Sequence, residues 1–130
     1  MKFLLDTNTV SYYLRGIPTT VKHIQSQKPL TLGISAITAM ELAYGVVKRK
    51  SPSLTNSVQG FLSGIQVLPF DQEAAKQAGE VRATLERNGI AISLADSQIA
   101  GHALALGLTL ISTDGVFKQI HGLTVKDWSK

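Results

Sequence analysis

Apolar residues along this chain follow two spacings, and the two alternate. Short, almost wholly apolar runs stand at Phe3-Leu4-Leu5, Thr31–Ser35, Ile65–Pro69, Leu108–Ile111 and Leu123–Val125. Each has the length and makeup of a strand, and Phe3-Leu4-Leu5, rich in large apolar residues, that of a buried one. Between them the spacing lengthens. From Asp71 to Asn88 the residues Ala74, Ala75, Ala78, Val81 and Leu85 share one helical stripe, with Asp71 placed to cap the start and Gly89 to end it. Further helices are predicted over Ala36–Lys50 and Leu94–Leu106, the second closed by Gly107. The segment Lys50–Asn56 reads as a connection between helices. Strands separated by helices require right-handed crossovers, so the pattern predicts an α/β fold with a central parallel sheet covered on both faces. Residues 1–130 read as one domain, and such a sheet binds ligands at the carboxyl ends of its strands.

Composition narrows the class. The chain has 130 residues, 44% of them apolar and 17% charged, which fills a core and excludes intrinsic disorder. With no cysteine, disulfide scaffolds and thiolate metal sites are excluded. Met1–Asp6 is too short an apolar run for a signal peptide. The uncharged stretches Ser51–Phe70 and Ser97–Thr113 carry too many polar residues to form the roughly 20-residue apolar span that crosses a membrane. The expectation is a cytoplasmic protein without a membrane contact. Thirteen Lys and Arg against nine Asp and Glu give a net charge of +4, a mild tilt toward polyanionic partners.

The scarce acids are more telling. Asp71, Glu73, Glu80, Glu86 and Asp127 sit among polar neighbours, as helix caps and solvated faces do. Asp6, Glu41, Asp96 and Asp114 each interrupt or directly follow an apolar segment. Asp6 and Asp114 fall where strands end, and Glu41 and Asp96 fall near the starts of helices. Carboxylates in apolar surroundings are costly unless paired or bound to a cation. Gathered carboxylates repel one another, and Mg²⁺ or Mn²⁺, with a preference for oxygen ligands, removes that repulsion. Local structure offers another account of each acid. Asp6 suits a helix cap, Thr38-x-x-Glu41 and Ser93-x-x-Asp96 match capping boxes, and Asp114-Gly115 suits a turn. His102, set among Ala and Leu, reads as a satisfied semi-buried residue.

Taken together, Met1-Lys2-Phe3-Leu4-Leu5-Asp6-Thr7-Asn8, then Ile34–Leu42 with Gly45, resembles the opening of PIN-domain ribonucleases, above all the VapC toxins of bacterial toxin–antitoxin pairs. The likeness continues through Val81–Glu86, Asp96–Ala103, Leu110–Asp114 with Phe117, and the ending Gly122–Trp128. The resemblance implies a three-layer α/β/α fold and a Mg²⁺-dependent endoribonuclease, with Mn²⁺ as a second candidate metal. It assigns metal binding and catalysis to Asp6, Asp96 and Glu41, with Asp114 as the fourth acid. Thr7, Asn8, Ser112 and Thr113 would orient these carboxylates. Arg15 and Lys48-Arg49-Lys50 are candidates for holding the RNA backbone. Implied partners are a VapB-like antitoxin, a structured RNA such as tRNA, and a second copy of the chain. Two departures stand out. Only Gly115 and Val116 separate Asp114 from Phe117, and Ile92-Ser93-Leu94-Ala95 replaces a Gly-Pro-Tyr-like approach to the third acid.

Two other readings compete. A phosphorylatable receiver domain also opens on a strand ending in Asp, but it needs a phosphoacceptor after its third strand, and Ser51–Phe70 contains no Asp. A PIN-like module that binds nucleic acid or a partner without turnover shares the same residues.

Overall fold

The structure, a computed structural model, describes residues 1–130. Five parallel strands form the centre: β1 (Phe3–Leu5), β2 (Leu32–Ser35), β3 (Gln66–Leu68), β4 (Thr109–Ile111) and β5 (Val125–Lys126), in the order β3-β2-β1-β4-β5. Leu4 pairs with Gly33 on one side and Leu110 on the other, so β1 is central. Six helices connect the strands: α1 (Thr7–Leu14), α2 (Pro18–Gln25), α3 (Ala36–Arg49), α4 (Pro52–Gly64), α5 (Gln72–Arg87) and α6 (Leu94–Leu106).

Alternation along the strands builds two cores. Phe3, Leu5 and Ile34 point to one face, where they meet Val10, Ile24, Leu42 and Val58 from α1 to α4. Leu4 and Leu110 point to the other, where they meet Val81, Leu85, Ile99, Ala100 and Ala103 from α5 and α6. The three-layer α/β/α arrangement with a parallel sheet is as expected, and so are the helices after β2, β3 and before β4.

Other boundaries differ, each for a local reason. Thr31 belongs to a 3₁₀ turn at Pro29–Thr31 that delivers the chain into β2. The last strand slips to Val125–Lys126, where Val125 and Lys126 pair with Leu110 and Ile111. The connection expected over Lys50–Asn56 shrinks to Lys50 and Ser51. Lys50 turns the chain in a left-handed conformation (φ 51°), Ser51 caps α4 and Pro52 starts it. Helices α1 and α2 were not foreseen in the hydrophobic pattern, because each is only eight residues long. Their starts are set by a side-chain cap at Asp6 and by Pro18 at the first helical position.

Helices α5 and α6 pack closely where Gly101 meets Ala78. A Cβ at Gly101 would lie 2.5 Å from the Ala78 Cα. Overpacking against backbone outweighs the helix propensity that alanine adds. Gly101→Ala is expected to cost about 2 kcal/mol or more in urea unfolding, with an unchanged m-value. Equal stability would show that the two helices separate freely.

Candidate metal centre

Strand order reverses at β1. The chain lays β2 and β3 on one side of it and then β4 and β5 on the other. Loops leaving the carboxyl ends of β1 and β4 therefore diverge and open a crevice between them. Asp6 follows β1 directly, and Ser112, Thr113 and Asp114 follow β4. Asp96 lies in the first turn of α6, the helix that feeds β4, and Glu41 lies in the second turn of α3.

Asp6 is 4% exposed. Its Oδ1 accepts the Thr9 N–H at 2.8 Å and so caps α1. The Asp6 N–H and the Thr9 hydroxyl both donate to the Ile111 carbonyl, at 3.0 Å each, tying the end of β1 to the end of β4. Burial pushes the Asp6 carboxyl above its usual range. Hydrogen bonds from Ser112 and Thr9 pull it back in part, and the charge of Asp114 pushes it up again. Asp96, half-buried, moves the same way. Burial raises it, the Ser93 side chain lowers it, and the charges of Asp114 and Asp6 raise it. Asp6, Asp96 and Asp114 thus act on one another. No basic side chain answers them, since the chain's two salt bridges are Arg82–Glu86 and Lys130–Asp127.

The other expected residues divide. Glu41 is joined to the group through Thr7, whose hydroxyl donates to Glu41 Oε1 at 2.5 Å and lies 3.1 Å from Thr38 Oγ1. Its charge is not among those shifting Asp6 or Asp96. Asp114 is exposed, with Oδ1 accepting the Val116 N–H and its own N–H donating to Ser112 Oγ, both at 3.0 Å. Its turn role and its membership of the acidic group coexist. The capping accounts hold for Asp6, and for Ser93, whose Oγ accepts the Asp96 N–H at 3.1 Å. They fail for Glu41, because Ser35 caps α3 and Thr38 lies inside the helix. Asn8 is exposed and Thr113 half-buried. Arg15 closes the far end of α1 with its guanidinium over Tyr12, and Lys48, Arg49 and Lys50 are exposed at the far end of α3. None of these four basic residues pairs with the acids. Sequence reasoning missed Thr9, Thr38 and Ser35, and read His102 as semi-buried where it is 1% exposed. The available signal was a hydroxyl three residues after each of Asp6 and Ser35.

As the side chains stand, no three His, Asp or Glu groups are disposed to hold a metal ion. The donor set still fits a hard divalent cation in chemistry and charge. It offers carboxylate and hydroxyl oxygens only, and it leaves a buried Asp6 without a counter-charge. Asp6, Asp96 and Asp114, with Glu41 joined to them through Thr7, are the residues that would hold it. A groove of about 710 Å³ lies elsewhere. It is lined by Tyr13, Ile24, Phe61 and Ile65 and reaches Leu32, the first residue of β2, so it opens at the amino ends of the strands.

The family model described as PIN domain matches residues 3–123. The chain is 36% identical over 130 residues to the "tRNA(fMet)-specific endonuclease VapC" of Salmonella typhimurium, covering 98% of each. Among solved structures it is similar to a DNA-bound VapBC from Salmonella typhimurium, with a TM-score of 0.88 and 36% identity over 98% of each chain. It is likewise similar to VapBC2 from Rickettsia felis bound to a promoter DNA fragment, with a TM-score of 0.88 and 30% identity over 98% of this chain and 99% of that one.

A raised carboxyl has a definite signature in metal-free protein. Asp6 and Asp96 contribute stability that is complete below the unfolded carboxylate range, about pH 4, and is lost as pH rises through their folded pKa values. Asp127, held low by Ser129, contributes in the opposite sense but equally in wild type and variant. Asp6→Asn keeps the acceptor for Thr9 and removes the charge. At neutral pH, urea unfolding should find the variant more stable by about 1–3 kcal/mol, the gap closing as pH falls toward 4. A gap that widens on acidification would contradict the shift.

Proposed function

The chain belongs to the PIN-domain family, and from that membership we propose that it is a metal-dependent endoribonuclease, the toxin member of a pair with a VapB-like antitoxin. The observation that carries the reading is the coupled group of Asp6, Asp96 and Asp114 at the strand-order reversal, with no basic residue to neutralise it. The names of its relatives support the activity and the partner. A structured RNA, tRNA in particular, is the proposed substrate class, supported by the tRNA(fMet)-specific relatives.

A bound Mg²⁺ or Mn²⁺ supplies a water of lowered pKa and offsets the charge that develops on the scissile phosphate. Everything else falls to the chain. Asp6 and Asp96 lower the electrostatic cost of bringing that cation into a half-buried crevice. Asp6 is held by the Thr9 N–H and Ser112, and Asp96 by the capped first turn of α6, so both carboxylates are oriented before substrate arrives. Glu41, joined to the group through the Thr7 hydroxyl, and Asp96 are the two candidates to orient or deprotonate the attacking water. Unpaired RNA loops present phosphates that such a crevice reaches, and Arg15 and Lys48-Arg49-Lys50 are free of intramolecular acid partners to hold the flanking backbone. The homodimer implied by family resemblance is supported by Met40, Tyr44 and Val47, exposed at helical spacing on α3.

Cleavage of RNA by purified, antitoxin-free chain is expected with Mg²⁺ and not after chelation. Asp6→Asn and Asp96→Asn should each lower the rate by roughly a hundredfold or more, as loss of several kcal/mol of metal-borne stabilisation requires. Undiminished cleavage in both variants would overturn the assignment. Binding of RNA without any cleavage by wild type would favour the non-cutting module.

A further inference from the structure

The helices that carry the acids are fastened together by few polar links. The start of α1 is tied to β4 through Thr9 and Ile111, and to α3 through Thr7, Thr38 and Glu41. The side-chain hydrogen bonds between α6 and the rest of the molecule converge on His102, and the one that reaches α3 runs from Nδ1 to Ser35 Oγ at 2.8 Å. The rest of the α6 contact is apolar, through Ile99, Ala100 and Ala103 with the close approach at Gly101. Close apolar packing sets how α6 lies on its neighbours, and a hydrogen bond between buried groups adds a directional restraint that packing alone does not have.

Ser35 is itself fully buried and is the cap of α3, its Oγ accepting the Ile37 N–H at 3.1 Å. The second ring nitrogen of His102 faces the Pro69 carbonyl in the loop before α5, and the Phe70 ring meets the imidazole edge-on at 5.5 Å. A carbonyl only accepts, so that nitrogen carries the proton. Nδ1 is then the bare acceptor, and the Ser35 hydroxyl donates to it while accepting from Ile37. In this tautomer every polar group of the cluster is satisfied, and no buried side-chain polar atom of the chain lacks a partner.

We infer that His102 is a positioning residue. It locks the rotation of α6 against the cap of α3, and thereby the placement of Asp96 relative to Asp6 and Glu41. The inference rests on the proposed metal-dependent reading for its consequence, but not for its geometry. Asp96 lies six residues before His102, and Glu41 six residues after Ser35, so one hydrogen bond sets the relation between both helix starts.

Two substitutions separate the two ends of the ring. Asn at 102 places a side-chain oxygen near the Nδ1 position and can accept from Ser35. Gln reaches toward Pro69 and leaves Ser35 unanswered. Leu fills the space and does neither. Hydrogen exchange in the folded protein reads helix placement without metal or RNA. His102→Leu and His102→Gln should raise exchange in the first turns of α6 and α3, and His102→Asn should restore protection. In parallel, Mn²⁺ affinity and kcat should fall about tenfold in the Leu and Gln variants, with KM for RNA within twofold, and recover in the Asn variant. Ser35→Ala combined with His102→Leu should add little to either alone. If exchange in both first turns is unchanged in His102→Leu, or if Asn restores no more than Gln, the positioning role is overturned. If exchange responds as stated but wild type neither binds Mn²⁺ nor cuts RNA, the proposed function fails while the positioning role stands.

Discussion

A carboxylate buried at the end of the central strand governs this molecule. Asp6 sits where β1 stops, is almost wholly removed from water, and spends one oxygen on the cap of α1. Its backbone N–H reaches the end of β4. The same residue therefore starts a helix, joins two strands and brings a charge into the interior. An unpaired buried charge costs several kcal/mol. The chain offsets it only in part, with hydrogen bonds from Thr9 and Ser112, and places Asp96 and Asp114 where they add to the cost. A proton would relieve that cost, and so would the divalent cation proposed above.

Placement of the acids follows from the topology rather than from local preference. Because the strand order turns at β1, the loop after β4 comes to the same edge as the loop after β1, although more than a hundred residues separate them. The apolar groove lies at the opposite, amino-end edge, so charge and apolar surface are kept apart. The thirteen bases against nine acids gain meaning in this arrangement. With three acids gathered at one crevice, the remaining surface is more basic than the net charge of +4 suggests, which suits a polyanion approaching an acidic centre.

Much of this was legible along the chain. The Ala74–Leu85 stripe located α5, Gly107 marked the end of α6, and the apolar triplet before Asp6 located the central strand. Asp6 and Asp96 stood out because each broke an apolar run. Helix α1 was legible only as a cap at Asp6 and α2 not at all, since eight residues do not establish a period. Strand order was not legible either, because period-two patterns say nothing about neighbours. The roles of Thr9, Ser35 and His102 depend on partners far away in sequence, at separations of 102 and 67 residues. No window of sequence contains both ends of such a bond.

Asp6 and Asp96 are proposed to share a divalent cation. Anomalous diffraction from crystals of the antitoxin-free chain grown with Mn²⁺ addresses it most directly. The account predicts a peak in the crevice above β1 and β4, about 2.2 Å from a carboxylate oxygen of each residue, and lost in Asp6→Asn. A peak away from both carboxylates, or none at a Mn²⁺ concentration that sustains RNA cleavage, would contradict it.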